Sequence, residues 1–219
     1  MKINWDSEVL SSVSKVVDQL EHLSINKDSI ESVADWLAYE EFPIPSSAAV
    51  RDDADDFIRA TMFMNTLNFA FTDFDKSIKY EINEDGKILS DSEAMYFQVN
   101  NAIDSGIKLT DGNEMASISL HQLKNIFVGN IEMPMLKERV EILNEVGQKL
   151  VDSYEGDWIN FINNGPKKLY SDGGGLIERL IEEFPRFDDS SQFKESNVKF
   201  YKLAQLAFWV IHAELSGSN

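Results

Sequence analysis

Asn68-Phe69-Ala70-Phe71 closes a strongly apolar stretch and joins one carboxamide to two aromatic rings. A carboxamide can pair with the edge of a nucleobase, and an aromatic face can stack on it. The same residue types also suit a core, with Asn68 satisfying a backbone group. Asp188-Asp189, followed by Lys199 and Lys202, sets carboxylates near ammonium groups in sequence. Such a pattern serves a site or a solvated charged face. Gly173-Gly174-Gly175 precedes an amphipathic stretch. Backbone N–H groups of that kind can cradle a phosphate, and a flexible loop is the plainer reading.

Other chemistry is excluded by composition. The three histidines, His22, His121 and His212, are far apart and lack the HExxH spacing of a zinc site. The chain has no cysteine, which removes disulfides, thiolate metal sites and a thiol nucleophile. No GxSxG, Walker A or dinucleotide glycine fingerprint occurs. No metal and no cofactor are expected.

The elements that must position these groups are mostly helical. The 219 residues are 43% apolar, with fourteen Phe and four Trp, enough for one domain over 1–219 with a sizeable core. No run of about eighteen apolar residues exists, so no membrane span is expected. MKINWDSEVL lacks the layout of a signal peptide, which fits a cytoplasmic location. A formal net charge of −18 repels polyanions, so neither nucleic acid nor an anionic membrane is expected as a partner.

Helical spacing runs from Ser11 to His22, and again through Ile30, Val33, Trp36 and Leu37, with Asp28 or Ser29 as cap. Phe42-Pro43-Ile44-Pro45-Ser46-Ser47 is a break. Arg51 to Asp56 suits a helix N-terminus, and the helix beyond it carries Phe57 to Phe71. Ile78–Asn83, the turn Glu84-Asp85-Gly86 and Lys87–Leu89 form the one expected hairpin. Later helices open at Ser92, with Gly106 as stop, at the Ser119/Gln122 capping box, and at Met133-Pro134. A short one covers Asp157–Ile162, and an amphipathic one follows Gly175. The last begins near Asn197, places Val198, Tyr201 and Ala204 on one stripe, and is apolar nearly all round from Leu203.

Taken in order, several stretches resemble the queuosine salvage proteins, the queuosine 5′-phosphate N-glycosidase/hydrolase family. They are Met62–Phe71 (MFMNTLNFAF), Val99–Ile107, Met133–Arg139, Ile142–Gly147, Phe184–Asp189 and Val198–Leu206, with Val33–Leu37 fitting the start. The resemblance implies a helical body similar to DNA glycosylases. It implies cleavage of the N-glycosidic bond of a 7-deazaguanine nucleoside monophosphate, releasing queuine for tRNA queuosine salvage. On that reading Asn68, Phe69 and Phe71 meet the base, and Lys199 and Lys202 bind an anion. Asp189 is the candidate catalytic carboxylate beside an oxocarbenium-like centre.

The chain departs from the family pattern in three places. Thr72 stands where the family has Trp, Leu203 where it has Arg, and Asp188 where it has Arg. The family's later Phe-Ala-Asp-Tyr-Arg-Leu-Pro motif, with its catalytic aspartate, has no counterpart here. The expectation is therefore a short, divergent member. The alternatives are a catalytically inactive nucleotide-binding or protein-interaction member, or one half of a split enzyme. The expected partner is a small nucleotide. The apolar face Phe208–Leu215 is expected to seat a homodimer or partner chain, unless Trp5, Leu10 and Val13 fold over it.

Overall fold

The computed structural model describes residues 8–17, 19–24, 26–40, 51 and 53–217, the last five of these by backbone alone. The Phe42–Ser47 break, Trp5 and the side chain of Leu215 lie outside the described residues. In chain order the elements are α1 (Glu8–Val17), α2 (Lys27–Leu37), α3 (Ala54–Thr66), β1 (Thr72–Asp73), β2 (Ile78–Lys79), β3 (Glu81–Glu84) and β4 (Lys87–Ser90). There follow α4 (Asp91–Asp104), α5 (Gly112–Ser117), α6 (Leu120–Ile126), α7 (Leu136–Tyr154), α8 (Trp158–Asn163) and α9 (Leu176–Glu183). A 3-10 turn (Pro185–Phe187), β5 (Ser190–Phe193), β6 (Ser196–Lys199) and α10 (Lys202–Gly217) complete the series. The architecture is mainly α, as expected, with short antiparallel pairs only.

The chain divides into two compact units, Met1–Pro45 with Asp189–Phe200, and Ser46–Asp188 with Tyr201–Asn219. In the first, α1 lies along β6, and the buried Ser12 hydroxyl accepts the Lys199 N–H at 3.0 Å. Asn26 caps α2 through Oδ1, which accepts the Ser29 N–H at 3.1 Å; the cap therefore precedes the expected Asp28. All of α2 is exposed, Ile30, Val33, Trp36 and Leu37 included.

The second unit is built around α3. Asp53 caps it, and Phe57, Ile58 and every residue from Ala60 to Thr66 are buried. A helix apolar on nearly every side needs cover on every side. Here α4, α8 and α10 supply it. The long α7 packs on α5 so closely that a Cβ at Gly147 would lie 2.3 Å from the Ala116 nitrogen. Only glycine allows that approach. Tyr154, Trp158, Phe161, Phe184 and Phe187 form an aromatic cluster with ring centroids 4.9 to 6.4 Å apart.

Several boundaries differ from the sequence reading: α1 runs Glu8–Val17 in place of the expected Ser11 to His22, and α3 ends at Thr66 instead of carrying on to Phe71. The expected strand Ile78–Asn83 is split at Tyr80: β2 pairs with β1, and β3 pairs with β4. Tyr80 is fully buried between them, so the run serves two ladders. The proline-led start of α7 lies outside the helix, because Met135 is left-handed at φ +55 and α7 begins at Leu136. The helix placed near Asn197 begins at Lys202. Asn197 and Val198 instead pair with Gln192 and Ser191, across a turn with Lys194 at φ +51. The spacing Val198, Tyr201, Ala204 mimics a helix stripe, and all three are buried.

Nor is α10 bare. It packs on α3 and α9, and Leu203, Ala204, Ala207, Phe208 and Ile211 are buried. The expectation that Phe208 and Ile211 lack cover is corrected; Trp209, 51% exposed, keeps it. No helix among the described residues is long and apolar enough to cross a membrane.

Candidate functional site

Every helix ends with carbonyl groups that have no partner inside it. The last residues of α3 are buried, so these carbonyls need donors from elsewhere. Two arginines provide them. Arg186 Nε donates to the Thr66 carbonyl at 2.9 Å. Arg139, on the first turn of α7, donates through Nη1 to the Leu67 carbonyl and through Nη2 to the carbonyls of Phe69 and, at 2.8 Å, Ala70. Its Nε donates to the Pro134 carbonyl at 3.0 Å. Both cations stand at the negative end of the α3 dipole, where they are favoured.

The chain leaves α3 wrapped around these groups. The Arg139 guanidinium lies 4.3 Å from the Phe69 ring centre and 5.1 Å from that of Phe71. Arg186 lies 4.4 Å from the Phe69 centre. Ala70 adopts φ +47, which turns the chain. Asn68 Nδ2 donates to the Tyr96 hydroxyl of α4 at 3.0 Å. The Phe71 carbonyl accepts the Tyr80 N–H at 2.8 Å, and the Tyr80 hydroxyl donates to Gln98 at 2.7 Å. Asn68, Phe69 and Phe71 are half-buried, so the loop keeps side-chain surface toward solvent.

Electrostatically the loop sits on a positive charge. Arg139 is fully buried, and among the described residues no carboxylate pairs with it. Burial, and then the neighbouring Arg186, bring its pKa down to about 10, with Tyr80 acting the other way. It is still protonated at neutral pH. Burial pushes Tyr80 up to about 12, against the opposing pull of Gln98 and Arg139. Burial also raises Tyr96, with Asn68 opposing.

The expected site residues fall in both units. Asn68, Phe69 and Phe71 are brought together on the one loop of the second unit. Lys202, exposed on the first turn of α10, belongs to that unit too. Asp189 and Lys199 stand in the first unit at the open end of the β5–β6 hairpin. There the Asp189 carbonyl accepts the Phe200 N–H at 3.0 Å. Both are half-buried.

Arg139, Arg186, Tyr80 and Tyr96 escape the sequence reading. Arg139 did leave a signal: it is three residues after Leu136 and four before Leu143, on the buried stripe of α7. A charge on an apolar stripe marks a buried polar contact.

The glycine run does not offer a phosphate cradle. The N–H groups of Ser171 and Gly175 donate to Glu178 Oε2 at 2.7 and 2.8 Å. Gly173 contributes a third backbone contact. The chain's own carboxylate occupies the nest.

The second unit has open clefts away from the loop, among them one of about 930 Å³ lined by His121, Lys124, Phe127 and Val128 among others, and two more. One, of about 700 Å³, is lined by Ile82, Ile88, Phe97, Gln98 and Asn101 among others. The other, of about 620 Å³, holds Arg59, whose Nε and Nη2 donate to the two Asp157 carboxylate oxygens at 2.9 and 2.8 Å. Neither is lined by Asn68, Phe69 or Phe71.

Residues 48–219 match the model of a family described as queuosine salvage protein. Curated relatives carry the name queuosine 5′-phosphate N-glycosylase/hydrolase, the following three among them. The one from Bos taurus is 31% identical over 144 residues, 65% of this chain and 41% of the relative. That from Mus musculus is 30% identical over 156 residues, 70% of this chain and 45% of the relative. That from Sphaerobacter thermophilus is 24% identical over 214 residues, 96% of this chain and 64% of the relative. The chain thus spans 41 to 64% of the length of these relatives.

Proposed function

The chain belongs to the queuosine salvage protein family, and on that premise we propose that it acts on queuosine 5′-phosphate, cleaving the N-glycosidic bond to release queuine for tRNA queuosine salvage. The observation that carries this reading is the Asn68–Phe71 loop, a carboxamide and two aromatic rings held in fixed relation by Tyr96, Arg139 and Arg186. A deazaguanine has a flat face to stack and an edge to pair, which suits those groups. Asp189 is the carboxylate for the oxocarbenium-like transition state, and Lys199 and Lys202 are the phosphate ligands. A free nucleotide rather than a nucleic acid is the partner that a net charge of −18 admits, and we place the protein in the cytoplasm. The test is incubation of the purified chain with queuosine 5′-monophosphate. Release of queuine is expected; none at high protein concentration would remove the catalytic reading for this chain.

A second reading is a non-catalytic nucleotide-binding member. It is favoured by Leu203, which is buried where the family pattern has an arginine. Calorimetry separates the two: binding of queuosine 5′-monophosphate without turnover selects the second. We also propose a second copy of the chain, or a partner chain, docking at the exposed Trp209 of α10. Light scattering of wild type against Trp209→Glu tests this, since a monomeric wild type ends the dimer idea.

A further inference from the structure

We propose that Arg139 is the positioning residue of the base site, acting through Asn68 and the two phenylalanines without touching the ligand. This rests on the reading of Asn68–Phe71 as the loop that meets the base.

A buried helix end asks only for neutral donors, and a buried cation without a carboxylate is an expensive way to supply them. Arg139 does more than close α3. Its planar fork holds the carbonyls of Leu67, Phe69 and Ala70 at once, on both sides of Asn68. That fixes the Leu67–Asn68 peptide plane before the carboxamide and the Phe69–Ala70 and Ala70–Phe71 planes after it. The face of the same guanidinium fixes the rings of Phe69 and Phe71 at 4.3 and 5.1 Å. No other side chain could set backbone and rings together, because only guanidinium combines five donors with a stacking plane.

The consequence is a readied acceptor. Asn68 spends its Nδ2 on Tyr96, and among the described residues its Oδ1 accepts no protein hydrogen bond. A deazaguanine edge carries N–H donors that an amide oxygen can accept. Arg139 thus sets where the amide stands, and Tyr96 holds its nitrogen.

The test compares Arg139→Lys with wild type on two probes, queuosine 5′-monophosphate and ribose 5-phosphate, by calorimetry. Lysine keeps the charge but neither the fork nor the plane. Affinity for queuosine 5′-monophosphate is expected to fall on the order of tenfold to a hundredfold, while that for ribose 5-phosphate is unchanged. The loss should be non-additive with Asn68→Ala, since both act on one contact. Equal loss for both probes, or none, overturns the proposal. Hydrogen exchange of residues 67–73 keeps the two readings apart. If wild type does not bind queuosine 5′-monophosphate at all, the base reading fails; faster exchange confined to 67–73 in Arg139→Lys then supports the clamp by itself, and unchanged exchange overturns it. If Arg139→Lys does not fold, Arg139→Gln gives the same comparison. Failure of both to fold assigns Arg139 to stability and overturns the positioning role.

Discussion

Two loops of the second unit are electrostatic opposites. At the C-terminus of α3, carbonyls of Thr66, Leu67, Phe69 and Ala70 gather around two guanidinium groups. At the N-terminus of α9, N–H groups of Ser171 and Gly175 gather around the Glu178 carboxylate. Each answers the same need, since a helix end leaves polar groups that must be paired. They differ in what is left over. The first loop is satisfied from beneath, so Asn68, Phe69 and Phe71 remain half-open. The second spends its whole anion-binding geometry on a residue of its own helix. A glycine run at a helix N-terminus is thus a site only when no nearby carboxylate fills it. A buried arginine behind a loop, by contrast, can leave that loop's side chains free for a ligand.

The largest effect should come from removing the cation of the first loop. Arg139→Ala strips donors from four carbonyls, those of Pro134, Leu67, Phe69 and Ala70. Unpaired buried carbonyls and a large cavity together should destabilise by about 3–5 kcal/mol, set against whatever is regained by no longer burying a charge. The urea midpoint of unfolding measures it. A cost below about 1 kcal/mol would mean that water replaces the guanidinium, and the contrast between the loops would collapse.

A smaller effect is expected at the second loop. Glu178→Ala removes an N-terminal cap of the kind worth about 1 kcal/mol. Burial pushes the Glu178 carboxyl up, but the N–H groups of Ser171, Gly175 and Gly173 outweigh it and hold the group below its ordinary 4.5. A carboxyl depressed by folding stabilises above its unfolded value and loses that contribution as pH falls through the folded one. Wild type should therefore lose stability below about pH 4.5 more steeply than Glu178→Gln. Parallel acid limbs in urea titrations at pH 3 to 6 would show that the carboxylate charge does nothing there.

These loops also show how far sequence pattern reaches. The helical class was accessible, because Phe57–Met64 and Leu136–Leu150 carry unambiguous helical spacing. Local caps were too: Ser119 and Gln122 form the expected box, and Gly106 ends α4 at φ +90. Glu178 three residues after Gly175 is the same capping pattern with glycine at the cap, a signal against the less favoured phosphate alternative. The β5–β6 hairpin was hidden, because Val198, Tyr201 and Ala204 keep helical spacing across a strand and a left-handed Tyr201. The grip on Asn68–Phe71 was hidden for another reason. It joins residues about seventy positions apart, as Arg139 to Leu67, and no local pattern encodes such a contact.

The smallest expected effect is the most telling for the first loop. Tyr96→Phe deletes the hydroxyl that accepts from Asn68 Nδ2 and nothing else. Asn68 is half-buried, so water can take the vacated position, and the stability cost should stay near or below about 1 kcal/mol. The amide, however, then loses the one side-chain partner that holds its nitrogen in place among the described residues. Affinity for queuosine 5′-monophosphate should fall several-fold, while the urea midpoint barely moves and ribose 5-phosphate binding is unchanged. That pattern belongs to a side chain oriented for a ligand. If Tyr96→Phe instead costs as much stability as Arg139→Ala, Asn68 is a core residue. The two loops would then be alike in having nothing left over, and the difference between them would be only the sign of the charge at their centre.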